Sequence, residues 1–346
     1  VSIFRLATPD DIEAISELTV LAGSGMTTVP RTASEVALYV VQTQRYLQGD
    51  TSANRLLFVL EHDKNIIGIS GIIPKLGLER PFYSFKRSRH TRRSSQPNLS
   101  ITYETLQLTN DFDGYTELAT ILLSPAVRGL GLGRLLSLGR LAFIASHPKL
   151  FEPHLMADIR GWSDSHDVSP FWQGLTSKFI DIPFDEADRQ STSNGDFIVN
   201  ILPSIPILLN LLPNEVSQCT GRPHDKSAAA YNMLCSIGFV ATDLCDVFDG
   251  GPAIQCPTNE TLISRTALQA EGCTSSMKGT PLLHYTGYKE TFRATIANGL
   301  FTKKMAAQSA YDELEVDKNK EGMWIARSRT KRQTLAFPAT QSRRKS

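Results

Sequence analysis

The first 218 residues contain no cysteine; the five present stand at 219, 235, 245, 256 and 273. No two of them have the two-residue spacing of zinc or dithiol motifs, and an odd number makes a poor disulfide framework. Buried, reduced thiols are therefore expected, with no metal. Long apolar runs are missing too: none reaches the ~20 residues that a bilayer-spanning helix needs. Charge of one sign is not in excess. A formal net charge of +1 provides no global field toward nucleic acid or a membrane, so neither is an expected partner. Residues 1–9 have neither the charged start nor the apolar core of a signal peptide, and the expected location is the cytoplasm.

What remains is an ordinary globular composition, 41% apolar and 21% charged. At 346 residues the chain is long enough for two domains. A strand over 2–6 leads to a helix start in which Thr8 can cap, Pro9 suits the first position, and Asp10 and Asp11 favour the positive dipole end. Ile12, Ile15 and Leu18 then recur at helical spacing. A loop at 23–30 precedes a second helix that opens on the capping-box pattern Thr32-Ala33-Ser34-Glu35. The runs 56–61 and 66–73, joined by His62-Asp63-Lys64-Asn65, read as an antiparallel hairpin. Residues 75–98 carry Lys86, Arg87, Arg89, Arg92 and Arg93 among serines, and read as a solvated loop or as a basic patch beside an anionic ligand.

Further on, strands are expected at 117–123, 155–159, 197–202 and 239–247, and helices at 135–146, from Ser169-Pro170, and at 227–237 before Gly238. The helix from Pro170 should carry Phe171, Leu175 and Phe179 on one face. From about Cys256 the pattern breaks into short β-like stretches such as 282–288 and 322–326. These features divide the chain into 1–255, a small β-rich part at 256–330, and a basic, frayed tail at 331–346.

Arg128-Gly129-Leu130-Gly131-Leu132-Gly133-Arg134 lies between a strand and a helix. Glycines let the backbone curl and remove side chains that would hold an anion away. The unpaired amides of the following helix then converge on one spot, for which a pyrophosphate is the natural ligand. The string is not a Walker loop, because no Lys-Ser/Thr pair follows Gly133. It also lacks the order and the early position of a dinucleotide fingerprint.

The spacing R-x-x-G-x-G, formed by Arg128, Gly131 and Gly133, resembles the acyl-CoA pyrophosphate loop of the GNAT acyltransferase superfamily. Longer strings narrow the resemblance to arginine N-succinyltransferases. They are Gly25-Met26-Thr27-Thr28-Val29-Pro30, Pro81-Phe82-Tyr83, the strand 117–125, Arg160-Gly161, Ser169-Pro170-Phe171-Trp172-Gln173, and Asp246-Val247-Phe248-Asp249-Gly250-Gly251-Pro252. The resemblance covers roughly 1–260. It implies an α/β (α+β) fold: a mixed, mostly antiparallel GNAT-like sheet flanked by helices, with a small C-terminal β-barrel-like domain. It also implies transfer of a succinyl group from succinyl-CoA to the α-amino group of arginine, or of ornithine, by a homo- or hetero-oligomer of related subunits.

Carried over residue by residue, the resemblance makes His224 the acid/base that handles the amine and thiol protons. GNAT enzymes often place a general-acid tyrosine four positions before the Gly-Phe pair; here that position is Leu234, with Tyr231 a fallback one turn away. Ile121 would hold the thioester oxygen through its main-chain amide. Leu123, Arg128, Gly129, Gly131, Gly133 and Arg134 complete the expected cofactor-binding set. Arg160 would take a carboxylate, of arginine or of the succinyl group; Asp164, Asp167 and Asp249 are candidate guanidinium partners, and His166 a candidate substrate contact. Asp249 could equally fix the Gly250-Gly251 turn. A GNAT enzyme with another acyl donor or amine, and a non-catalytic partner subunit, remain alternatives.

Overall fold

The computed structural model describes residues 2–22, 26, 28–193, 196–269, 282–297, 314 and 323–329. In chain order its strands are β1 (Ser2–Leu6), β2 (Leu56–His62), β3 (Asn65–Ile72), β4 (Ser84–Ser95), β5 (Asn98–Thr109), β6 (Thr116–Glu117), β7 (Ile121–Leu123), β8 (His154–Asp158), β9 (Ile207–Leu208), β10 (Val240–Cys245), β11 (Pro252–Pro257), β12 (Leu268–Gln269), β13 (Leu282–Thr286), β14 (Arg293–Ala297) and β15 (Met323–Arg327). The helices are α1 (Ile12–Thr19), α2 (Ala33–Leu47), α3 (Leu132–Ser146), α4 (Pro170–Gly174), α5 (Phe184–Ser193), α6 (Phe197–Ile201), α7 (Asn214–Cys219), α8 (Ala228–Cys235) and α9 (Leu262–Thr266).

Two sheets result, ordered β12-β15-β13-β14-β1-β2-β3-β7 and β6-β8-β11-β10-β4-β5-β9. Every recorded pairing is antiparallel except β6 with β8. The fold is thus α/β with mostly antiparallel sheets flanked by helices. The strands beyond residue 268 extend the first sheet, because β14 pairs with β1. The tail 331–346 and Cys273 lie outside the described residues, as do Gly23, Ser24, Gly25 and Thr27. Among the described residues, no helix is long and apolar enough to cross a membrane.

The apolar run of β2 reflects burial on both faces of the first sheet. Leu56, Phe58 and Leu60 face the core around α3, while Leu57 and Val59 pack with Ile15, Leu18, Val36 and Val40 of α1 and α2. The second sheet buries Phe85 and Leu106 against Phe171, Leu175 and Val216 from α4 and α7 and the residues beside them. Both expected helix starts form. Thr8 and Asp11 make a reciprocal capping box, and so do Thr32 and Glu35.

Three expectations are corrected. Residues 84–109 form a long hairpin, not a loop: β4 and β5 pair from Ser84↔Thr109 to Ser95↔Asn98. Two of its basic side chains meet acids, Lys86 on Asp111 at 2.8 Å and Arg87 on Glu104 at 2.6 Å, while Arg89, Arg92 and Arg93 are exposed. Residues 197–201 are helical, not extended. Ile198 and Leu202, four apart, are buried while Val199 and Ile201 are exposed, which is a helical face. Finally, α4 stops at Gly174, so Phe171 and Leu175 are buried but Phe179 is 41% exposed.

Gly139 on α3 shows how close the packing is. A β-carbon there would meet Phe4 Cδ1 at 2.3 Å, and that ring is fully buried, stacked on Phe58 at 4.9 Å and edge-on to Phe292. Alanine favours a helix interior over glycine by ~1 kcal/mol, but overpacking a rigid aromatic cluster costs about 1–3 kcal/mol. Gly139→Ala should therefore lower the urea midpoint at an unchanged slope; a raised midpoint would contradict this packing.

Candidate active site

The segment 116–123 belongs to both sheets. β6 runs parallel to β8, and the Leu118 amide still donates to Met156 O at 2.9 Å. The chain then turns at Thr120, whose φ is 42°, and β7 joins β3 as the edge of the first sheet. The turn is a bulge: the Gly71 amide donates to both Ala119 O at 3.1 Å and Thr120 O at 2.8 Å. Beyond it β7 and β8 lie in different sheets and are not paired with each other.

Register decides where the amides of β7 point. Thr120 O accepts from Gly71, and Ser124 N donates to Ile67 O at 2.8 Å. Antiparallel pairs alternate, so Leu122 bonds with Ile69 between these two anchors. The amides of Ile121 and Leu123 therefore face away from β3, along the free edge. Ile121 is 36% exposed.

The glycine turn follows directly. Gly129 and Gly131 have φ of 85° and 80°, the left-handed region that glycine reaches without steric cost. A β-carbon at either would meet nothing within 4 Å, so the space over the turn is open. α3 begins at Leu132, and its first amides have no carbonyl within the helix. Arg128 is exposed beside them. Gly133 sits in the first turn, where a β-carbon would be 3.7 Å from the Leu123 side chain. Arg134 is engaged elsewhere: its guanidinium donates to Ser328 O at 2.7 Å.

Downstream of β8 a second group of residues assembles. Gly161 bridges to Pro223, the Trp162 amide donates to Arg222 O at 3.0 Å, and the His224 amide donates to Arg160 O at 2.8 Å. This short pairing brings Arg160 and His224 together. Asp167 Oδ1 accepts from Arg160 Nη2 at 2.9 Å and Ser163 Oγ at 2.9 Å, and lies 3.7 Å from His224 Nε2. His224 is 6% exposed, and its Nδ1 accepts from the Lys226 amide at 3.0 Å. A neutral ring therefore carries its proton on Nε2. Burial, then the Arg160 charge, hold the imidazole below its ordinary range, and Asp167 pulls the other way. The Ser163 hydrogen bond, with the Arg160 and His224 charges, keeps the Asp167 carboxylate below the usual value.

The remaining expected residues support this pair. Asp164 accepts from the amides of His166 at 2.8 Å and Val168 at 3.0 Å, so it closes the exposed turn that presents Asp167. His166 is exposed on that turn, 3.5 Å from Ser165 Oγ. Asp249 uses both oxygens on backbone, accepting from Gly161 at 2.7 Å and Gly251 at 2.8 Å. A β-carbon on Gly161 would lie 2.3 Å from Asp249 O, and one on Gly251 only 2.1 Å from Ile159 O. The Arg-Gly and Asp-Gly-Gly-Pro strings thus form one close backbone contact beneath Arg160. Tyr231, on α8, packs against the main core and interacts with Cys235; burial raises its hydroxyl's pKa. Sequence reasoning offered Asp167 only as a guanidinium partner, and nothing marked it as the carboxylate beside His224. Its positive φ of 62° is visible only in three dimensions.

Residues 2–263 match the family model described as arginine N-succinyltransferase beta subunit. The chain is 34% identical over 262 residues to the arginine N-succinyltransferase subunit beta of Pseudomonas aeruginosa, covering 75% of this chain and 77% of that one. It is 32% identical over 259 residues to the arginine N-succinyltransferase of Escherichia coli, covering 73% and 75%. In fold it is similar to the solved arginine/ornithine succinyltransferase subunit AI from Pseudomonas aeruginosa, with a TM-score of 0.82 and 24% identity over 95% of this chain and 99% of that one.

The His224 environment makes a measurable prediction. Its imidazole should titrate below the ordinary histidine value by NMR, with the Nε2–H tautomer dominant. Asp167→Asn removes the carboxylate that opposes burial and should move the titration further down; an upward move would refute the arrangement.

Proposed function

The chain belongs to the arginine N-succinyltransferase family of acyltransferases, and from that premise we propose that it transfers the succinyl group of succinyl-CoA to the α-amino group of arginine, with ornithine as a second amine. The observation that carries this reading is the free-edge Ile121 amide, on the strand that leads directly into an open glycine turn. The amides of 129–133, with Arg128 beside them, receive the pyrophosphate. The thioester carbonyl then lies along the edge of β7, where the outward amide of Ile121 stabilises the oxygen as it gains charge. Such a donor contributes about 3 kcal/mol in acyl transfer.

The reaction forms a C–N bond and breaks the C–S bond. The amine loses a proton, and the departing thiolate gains one. A free α-amino group has a pKa near ~8, so at neutral pH the nucleophile must be deprotonated. His224 handles these protons, with Asp167 holding the ring. In the free protein the neutral ring's proton is on Nε2, the nitrogen nearest Asp167. For the ring to accept a proton on Nδ1, the contact with the Lys226 amide has to open. Tyr231 is the fallback acid. Arg160 has guanidinium donors beyond the one on Asp167 and takes a carboxylate of arginine or of the succinyl group. Asp164 and His166 line the substrate side, and Asp249 acts through the backbone of Gly161. The relatives named as subunits support an assembly of related chains.

Thiol release tests the reading. Succinyl-CoA with arginine should release CoA and yield a product heavier than arginine by one succinyl group. Release only with acetyl-CoA would replace the donor, and silence despite CoA binding would make the chain a non-catalytic subunit. His224→Ala should lose about 10²–10⁴-fold in kcat with CoA binding kept, as for loss of a general acid/base. Undiminished turnover would remove His224 from the mechanism.

A further inference from the structure

Thr120 is β-branched, yet its φ is 42°. Backbone of this kind costs about 1–3 kcal/mol and persists only where its surroundings impose it. Here they do so from two sides. From the loop before α2, Thr28 makes a reciprocal pair with Thr120: its Oγ1 accepts from the Thr120 amide at 3.0 Å, and its carbonyl accepts from Thr120 Oγ1 at 2.7 Å. From α3, Arg140 Nη1 donates to Ala119 O at 2.9 Å and reaches Gly71 O at 3.4 Å, while Nη2 donates to Ser137 Oγ at 3.2 Å. Gly71 completes the fit, since a β-carbon there would stand 3.1 Å from Thr120 Cβ.

Arg140 is the less expected member. It is 2% exposed on an otherwise apolar stretch of helix, and its Nε has no partner. Among the described residues no carboxylate lies within ion-pair distance of it. Burial pulls its pKa down to about 10 against the charge of the nearby Glu117, and burial pushes Glu117 up to about 7 against the charges of Arg55, Arg140 and Arg80. Burying a guanidinium with no carboxylate in direct contact is costly, and an apolar side chain of similar size would serve packing better. The cation is spent on two carbonyls that flank one bulge.

We propose that Thr28 and Arg140 are positioning residues for acyl transfer, fixing the Thr120 turn so that the next amide, that of Ile121, is aimed along the free edge at the thioester oxygen. The inference rests on the acyl-transfer reading above. It also gives Thr28, which bonds the residue just before β7, a part in the chemistry. A merely structural clamp would affect stability; a positioning clamp affects kcat more than KM, because the amide bonds more strongly to the oxygen as charge develops.

The test uses the full chain with Thr28→Val, Thr28→Ser and Arg140→Met. Valine keeps the shape and removes the oxygen that accepts from Thr120; serine retains it. For folded Thr28→Val, kcat should fall about tenfold to a hundredfold while KM for acyl-CoA stays within about twofold. Thr28→Ser should restore most of the loss. Amide exchange across 119–123 should speed up in Thr28→Val, a readout that needs no turnover and serves even if Arg140→Met fails to fold. Wild-type kcat in Thr28→Val, an equal loss in Thr28→Ser, or unchanged exchange would each overturn the clamp. If the wild type turns over acetyl-CoA rather than succinyl-CoA, the donor assignment fails, and the clamp is judged on acetyl-CoA because the same amide meets either carbonyl.

Discussion

A strand cannot keep its hydrogen bonds with two sheets that diverge, and the segment 116–123 is placed where that conflict arises. Its first residues are shared, the Leu118 amide donating to Met156 O of β8 and the Glu117 amide to Ile73 O just past β3; its last ones pair with β3 alone, and Thr120 takes the turn between. Backbone groups away from water need partners. The outward amides of β7 have none in the ladder, and they run directly into a turn whose own amides are also unpaired. A row of donors on one edge, ending at a helix N-terminus, suits a ligand with an acceptor at one end and phosphates at the other. The site we propose is thus a consequence of how the sheets part.

The group around Arg160 and His224 is built by backbone contact. Gly161 and Gly251 allow the strand after β8 and the turn before β11 to approach more closely than any other residue would permit, and Asp249 ties them. Burial and the neighbouring Asp246 charge push the Asp249 carboxyl well above the usual range, which suits a hydrogen-bonded brace better than an anionic seat for guanidinium. This brace holds Arg160, and through Arg160 O it holds the backbone of His224. Two loops distant in sequence thereby place a carboxylate, a guanidinium and an imidazole together.

Much of this was legible in the letters, because it depends on local rules. The helix start at Thr8, the capping box at Thr32, the 62–65 turn, and the glycine turn before α3 each follow from short-range geometry, and each formed. The errors have a common source: partners far along the chain. The basic stretch 86–93 reads as loop until β5 pairs with it and Glu104 and Asp111 meet its charges. Residues 197–201 have the β-rich letters of a strand, but burial of Ile198 and Leu202 on one face selects a helix. Arg140 was hidden because a lone arginine in a helix is ordinarily solvated; only the bulge beneath it explains its burial. Asp249 was seen, but its brace role needed the coordinates.

The central claim is that the parted strands grip an acyl-CoA along their free edge. A crystal structure of the protein with a non-hydrolysable succinyl-CoA analogue tests it most directly. The pyrophosphate should lie on the amides of 129–133 and the carbonyl oxygen within hydrogen-bond reach of the Ile121 amide, with His224 facing the thioester. An analogue bound away from the glycine turn, or one whose carbonyl turns away from β7, would contradict this.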